Sequence, residues 1–334
     1  MAVVKADGYG HGAVPAARAA LQGGATWLAV SSVPEGIELR KAGILEPILN
    51  LGYTPPSALS AAIAAKLALT VYDREGLALL KTAATEIGVH VKVDTGMHRL
   101  GAPPEEAVKL AIDVDADANL RLEGFWTHFA DADRDPAFTR EQLHVFLDAR
   151  AALIRAGVTG FISHAANSPG LLRFPEARLD LVRAGLIIYG VRPVRSWAEL
   201  PELRPALRWQ TIVTNVVTVP IGESVGYGRR FIAREPAMVA TIAVGYADGL
   251  HRRASGGGRA IVRGVTVPIA GTISMDQAAL DVRTIPEVTV GDVVTLIGEE
   301  GGTTLSAHDL ADASGTISYE VLCAISSRVP RRYL

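Results

Sequence analysis

Cysteine is nearly missing from this chain of 334 residues: Cys323 stands alone. That excludes an internal disulfide and a cysteine-cluster metal site, and it argues against redox chemistry at sulfur. An excess of one charge is missing too. With 33 Lys and Arg against 35 Asp and Glu, a net charge of -2 and no basic cluster, the chain lacks the electrostatic footprint of a nucleic-acid binder. No apolar run approaches the roughly 20 residues that span a bilayer, and the first residues lack the charged segment and apolar core of a signal peptide. The expectation is a cytoplasmic protein with no membrane and no nucleic-acid partner. What is present is apolar mass: hydrophobic residues make up 49% and mean hydropathy is +0.24, enough for a substantial core and a small neutral or mixed-charge ligand.

Strand-length apolar runs recur at 2–5, 27–31, 47–52, 68–72, 89–94, 120–129, 161–168 and 179–189. Alanine- and leucine-rich helical stretches lie between most of them, at 14–22, 34–42, 56–65, 74–87, 105–113, 140–156 and 168–174. Gly23, Gly43, Gly88 and Gly157 stand where helix-ending glycines belong. Eight alternations of this kind predict a (β/α)8 barrel over 1–203. After the proline-bearing stretch 192–205, read as the linker region, the texture changes. Short β-rich runs at 210–219, 237–243, 260–262, 277–281 and 293–297, with one clear helix near 306–314, predict a mostly antiparallel β-domain over 204–334. The glycines at 256–258 read as a flexible hairpin loop.

A barrel carries its chemistry at the C-terminal ends of its strands. Those ends hold Lys5, then Lys92, Asp94 and Arg99, then His128, then Asn167 and Ser168, then Arg183 and Gly185. Each alone has a bland reading as a cap or a satisfied core group; their convergence on one rim does not. Lys5 is the sharpest, because it ends an apolar β-branched run. Burying an amine costs several kcal/mol unless it is paired, deprotonated or covalently bonded.

Nine blocks then occur in order: A-V-V-K-A-D-G-Y-G-H-G (2–12), V-K-V-D-T-G-M-H-R-L-G (91–101), W-T-H-F-A-D-A-D (126–133), H-A-A-N-S (164–168), V-R-A-G-L-I-I-Y-G (182–190), V-G-Y-G-R-R-F (225–231), V-G-Y-A-D-G (244–249), S-M-D-Q (274–277) and I-S-Y-E-V (317–321). Together they resemble the bacterial alanine racemases, enzymes that use pyridoxal 5'-phosphate on a barrel of this type. The resemblance implies that Lys5 holds the cofactor covalently and serves as one acid/base group. Tyr9, Ser168, Gly185, Leu186 and Tyr319 match the phosphate-binding positions, where hydroxyls and backbone N–H groups suit an oxyanion. Arg183 matches the arginine facing the ring nitrogen, with His128, and His164 behind it, as its supports. Arginine does not protonate that nitrogen, so the cofactor is a weaker electron sink than beside an aspartate, which favours racemisation over transamination.

Tyr227 matches the second base, acting on the opposite face of the substrate from the partner subunit of a homodimer. Arg99 matches the residue that contacts the cofactor's phenolic oxygen and the substrate carboxylate. Met275 and Asp276, again implied to come from the partner, match the carboxylate-side wall, and Tyr246 matches an entrance tyrosine; Lys92 matches a lysine that is carbamylated in some members and braces Arg99, with an ion pair to Asp94 as the alternative. The implied reaction interconverts L- and D-alanine, supplying D-alanine for peptidoglycan or acting in catabolism. A broader amino-acid or serine racemase would share every one of these residues. A non-catalytic pyridoxal-phosphate carrier would lack the β-domain, and a decarboxylase of related plan would place a carboxylate where Arg183 stands. Family chains carry a segment ahead of the lysine strand, whereas Met1 opens that strand here, so a missing lead-in is expected to expose a sheet edge and lower stability.

Overall fold

The computed structural model describes residues 1–197 and 202–334, and the chain divides into two compact units. The first comprises residues 1–8, 12–188 and 192–202. Its sheet has seven parallel strands, neighbours in chain order: β1 (Ala2–Val3), β2 (Leu28–Val30), β3 (Ile48–Asn50), β4 (Ala68–Val71), β5 (Ile87–Lys92), β6 (Leu120–Trp126) and β7 (Ile162–His164). β2, β3 and β4 are buried along their whole length, as strands must be when helices cover a parallel sheet. The core formed by these strands and helices includes Leu28, Ile48, Leu69, Val89, Phe125 and Phe146.

The eighth run behaves differently from expectation. Residues 179–189 form no regular strand, only a parallel bridge between Ala184 and Ala2. The Met1 ammonium donates to the Val182 carbonyl at 2.9 Å, the Val3 N–H to the Ala184 carbonyl and the Arg183 N–H to the Ala166 carbonyl. The sheet thus curls round to meet its own beginning. Leu179 at φ 46° and a 3-10 turn over Leu186–Tyr189 prevent longer pairing.

The expected helix over 74–87 stops at Leu80, and β5 starts at Ile87. Gly88 therefore lies inside a strand and ends no helix. The linker expectation at 192–205 falls partly on residues 198–201, outside the described residues.

The second unit comprises residues 9–11, 189–191 and 203–334. Its strands are β8 (Trp209–Val219), β9 (Ser224–Val225), β10 (Phe231–Ile232), β11 (Ala237–Ile242), β12 (Arg259–Val262), β13 (Val265–Pro268), β14 (Ala278–Asp281), β15 (Val293–Glu300) and β16 (Thr303–Leu305). The main sheet is antiparallel in the order β13-β12-β15-β8-β11-β14, with β16 on β15 and β9 paired to β10. Helix Ala307–Ser314 begins at a Ser306/Asp309 capping box. A second helix, Ser318–Ala324, was hidden in the sequence by its flanking β-branched residues. The 256–258 glycines follow a 3-10 turn, Arg252–Ala254, and precede β12, so they do not close the β12–β13 hairpin. No helix among the described residues is long and apolar enough to cross a membrane.

Candidate active site

The rim of the first unit is built where its strands end. Behind β1 the chain reverses in a left-handed turn, with Ala6, Asp7 and Gly8 at φ 52°, 53° and 59°. This geometry is costly for residues with a Cβ, and side chains hold it in place. Glu35 accepts from the Ala6 N–H at 2.8 Å and from the Ser31 N–H at 2.7 Å, and Asp7 accepts from the Ala13 N–H at 2.8 Å. The turn carries Lys5, half-buried, whose charge is felt by Lys92 and His128.

Lys92, at the end of β5, is 3% exposed, with its Nζ 4.8 Å from the centre of the Trp126 ring. Burial first, then the cations Arg99, Arg183 and Lys5, push its amine down to about 8 against a smaller opposing pull from Asp94. The expected Lys92–Asp94 ion pair is not formed. Asp94 Oδ1 instead accepts from the backbone N–H groups of Gly96, Met97 and His98, and its Oδ2 lies 3.1 Å from His98 Nδ1. Asp94 is the cap of its own loop, on which Arg99 stands exposed.

Arg183 is 2% exposed, and burial pushes its guanidinium down to about 9. It donates to the carbonyls of Thr127 at 2.7 Å, Ala165 at 2.8 Å and His164 at 3.1 Å, to His164 Nδ1 at 2.7 Å and to His128 Nδ1 at 3.3 Å. Its Cζ lies 4.7 Å from the Trp126 ring centre, so one indole flanks two buried cations. Burial and the Arg183 charge hold both His128 and His164 well below the ordinary histidine range. Ser168, at the start of helix Ser168–Arg173, takes the Gly185 N–H on its Oγ at 2.9 Å, and Leu186 is fully buried.

In the second unit, Tyr9 lies 5.1 Å from Tyr189 and 6.2 Å from Tyr319, ring centre to ring centre. Burial, then Tyr319 and Cys323, raise its phenol above the usual tyrosine range, so it remains a donor. The Arg331 guanidinium donates to the Gly10 carbonyl and to carbonyls of Ile325, Ser326 and Val329, tying the residue after Tyr9 to the chain's last turn. Elsewhere in this unit Tyr227 is 72% exposed, Met275 53% and Tyr246 42%. The Tyr246 and Ala247 N–H groups donate to the Ser274 and Met275 carbonyls, each at 3.0 Å, the Thr272 hydroxyl donates to the Tyr227 carbonyl at 2.8 Å, and Arg328 binds Asp276 at 2.7 Å. Tyr227, Met275 and Asp276, expected to serve a partner's site, and the entrance tyrosine Tyr246 thus sit on adjoining loops of one exposed patch.

Residues 1–193 match the family described as alanine racemase, N-terminal domain, and residues 206–333 match alanine racemase, C-terminal domain. The chain belongs to the alanine racemase family. It is 44% identical to the alanine racemase of Symbiobacterium thermophilum, over 100% of this chain and 90% of that protein. It is 43% identical to that of Desulfovibrio desulfuricans, over 99% and 90%. Among solved structures it superposes with a TM-score of 0.93 and 38% identity on alanine racemase from D-cycloserine-producing Streptomyces lavendulae, covering 100% of this chain and 90% of that one. It also resembles Bacillus anthracis alanine racemase with bound L-Ala-P, with a TM-score of 0.91 and 39% identity over 99% and 86%. The fold, a curled parallel sheet wrapped by helices and followed by an antiparallel β-domain, is the alanine racemase fold.

Three residues at this family site escaped the sequence reading: Trp126, His90 and Glu123. A signal for His90 was available, because Gly88, His90 and Lys92 alternate on one face of an otherwise apolar strand. Trp126 sits inside a quoted motif, yet an indole next to a histidine reads as core. Nothing in the local pattern marks Glu123.

Proposed function

We propose that this chain interconverts L- and D-alanine using pyridoxal 5'-phosphate held on the barrel rim. The observation that carries the reading is that separate strand ends of an alanine racemase family member bring Lys5, Lys92, His128, Ser168 and Arg183 to one rim. The donor set fits the cofactor. Lys5, Lys92, Arg99 and Arg183 make the rim rich in cations while Asp94 is engaged by loop amides, so an anionic ligand is what it accommodates. Ser168 Oγ already accepts from Gly185, which leaves its own proton to donate to a phosphate oxygen, and the Tyr9 phenol, with Tyr319, is a further donor.

When bound, pyridoxal phosphate supplies the electron sink that makes the alanine Cα proton removable. Lys5 would hold the cofactor through Nζ, and its free amine would carry a proton to or from Cα on one face. The Tyr227 phenol of a second copy does the same on the other, each such transfer being worth about 10²–10⁴ in rate. Arg183 keeps its proton and so leaves the ring nitrogen unprotonated. Arg99 and the Met275 N–H receive the substrate carboxylate beside Asp276, and Tyr246 narrows the entrance to methyl size. A homodimer with shared sites accounts for the exposed patch of Tyr227, Tyr246 and Met275. D-alanine for peptidoglycan, made in the cytoplasm, is the product this role supplies.

Purified protein given L-alanine is expected to form D-alanine, detected with D-amino-acid oxidase, and much less product from serine or lysine. Lys5→Ala should lose both activity and the yellow cofactor band. Tyr227→Phe should retain solvent exchange of the Cα proton for one enantiomer only; exchange of both would refute the two-base assignment.

A further inference from the structure

Arg183 is a buried cation whose hydrogen-bond acceptors are all uncharged: three carbonyls and two imidazole nitrogens. A guanidinium only donates, so His164 Nδ1, 2.7 Å away, is a bare nitrogen. Burial keeps His164 neutral, which places its single proton on Nε2, 2.9 Å from His90 Nδ1. That nitrogen must in turn be bare. His90 is also neutral, pushed down to about 3 by burial, Arg183 and Arg121, so its proton sits on Nε2. This N–H is fully buried with no hydrogen-bond partner, and it faces Glu123 Oε2 at 3.8 Å.

The barrel interior is shaped around this row. Val89 pairs with Leu122 and His90 with Gly124, which leaves Glu123 as the extra residue of a β-bulge, a device that re-aims a side chain. A Cβ on Gly88 would lie 2.2 Å from Glu123 Oε2, and one on Gly124 would lie 2.1 Å from His90 Nδ1; only glycine at both places admits the carboxylate and the ring. Arg121 pairs with Glu123 and also with Glu86, anchoring the far end. Trp126 stacks on His164 at 5.4 Å and 7°, and Trp27 sets its ring edge against His90 at 5.3 Å.

We propose that Glu123 is a positioning residue for Arg183, its carboxylate facing, 3.8 Å away, the last N–H of a one-way hydrogen-bond relay that runs from Arg183 through His164 to His90. This rests on the reading of Arg183 as the partner of the cofactor's ring nitrogen. A carboxylate in direct contact with that nitrogen would deliver it a proton. Set two imidazoles back, it supplies a counter-charge to the guanidinium, fixes both rings in one tautomer and leaves the ring nitrogen unprotonated.

Two measurements on the full chain loaded with pyridoxal phosphate test it. In 15N histidine spectra at neutral pH, His90 and His164 should both carry their proton on Nε2; an Nδ1–H tautomer or an imidazolium at either would overturn the relay. Glu123→Gln, which keeps an acceptor but removes the charge, should lower kcat about three- to thirty-fold, leave KM for alanine within about two-fold, and shift the visible absorption of the bound cofactor. Unchanged kcat and absorption would overturn the positioning role. Should that variant not fold, His90→Gln, whose amide oxygen can accept from His164, should keep more kcat than His90→Leu, and equal values would count against the relay. A wild-type chain that neither binds the cofactor nor racemises alanine would refute the functional reading, while the histidine tautomers in the same full chain would still decide the relay.

Discussion

Replacing Lys92 by methionine should stabilise the protein while damaging the site. In the folded chain the Lys92 amine is pushed from 10.5 down to about 8, and at 1.36 kcal/mol per pH unit the buried cation costs about 3 kcal/mol at neutral pH. Methionine fills nearly the same volume and needs no counter-ion. Against this gain stands the loss of the contact with the Trp126 face, about 0.5–2 kcal/mol. The balance is a gain of about 2 kcal/mol, or roughly 4–8 °C in melting temperature for a unit of this size. The sign of the pH dependence follows from linkage. Between about 8 and about 10.5 the unfolded chain holds the Lys92 proton that the folded chain has released, so wild-type stability rises with pH there relative to the variant. The penalty is complete below 8 and gone above 10.5. Urea unfolding of wild type and Lys92→Met, followed by tryptophan fluorescence in carbon-dioxide-depleted buffer, should show a gap that closes across that window. Added bicarbonate should narrow the gap at neutral pH if the amine is carbamylated. A variant no more stable than wild type at neutral pH, or a gap indifferent to pH, would refute the assignment of Lys92 as an uncompensated buried cation.

Gly124→Ala should cost about 1–3 kcal/mol through overpacking against His90, and the loss should shrink in a His90→Ala background, a coupling that a double-mutant cycle in urea measures. Arg331→Ala removes donors from four backbone carbonyls and should cost about 2–3 kcal/mol. Arg331→Lys should recover little of that loss, because one ammonium cannot serve the forked set; melting curves of the three proteins check this.

The rim was legible in the sequence because its members stand at or just past the ends of apolar strand-length runs, and a βα repeat sends all such ends to the same side. Tyr227, Tyr246, Met275 and Asp276 were legible only through motif resemblance, since exposed tyrosines on glycine-rich turns carry no local signature. What stayed hidden depends on pairing across strands. The bulge at Glu123 arises from register between β5 and β6, which neither strand's own pattern encodes. The eighth run, rich enough in Leu and Ile to read as a strand, is reduced to one bridge because Leu179 turns left-handed and Leu186–Tyr189 wind into a 3-10 turn. Asp94, two residues from Lys92 and an obvious ion-pair candidate, proved to be a loop cap because three backbone amides compete for the same carboxylate.

Four successive residues behind Lys5, from Ala6 to Tyr9, wind against the handedness that L-amino acids prefer. Each such step costs about 1–2 kcal/mol outside glycine, and Glu35 and Asp7 clamp the corner from both sides. A corner clamped by these hydrogen bonds makes the backbone beneath the Lys5 amine a fixed pivot. Movement of the Lys5 amine is then left to rotation of its own methylene chain, with no rearrangement of the loop that carries it.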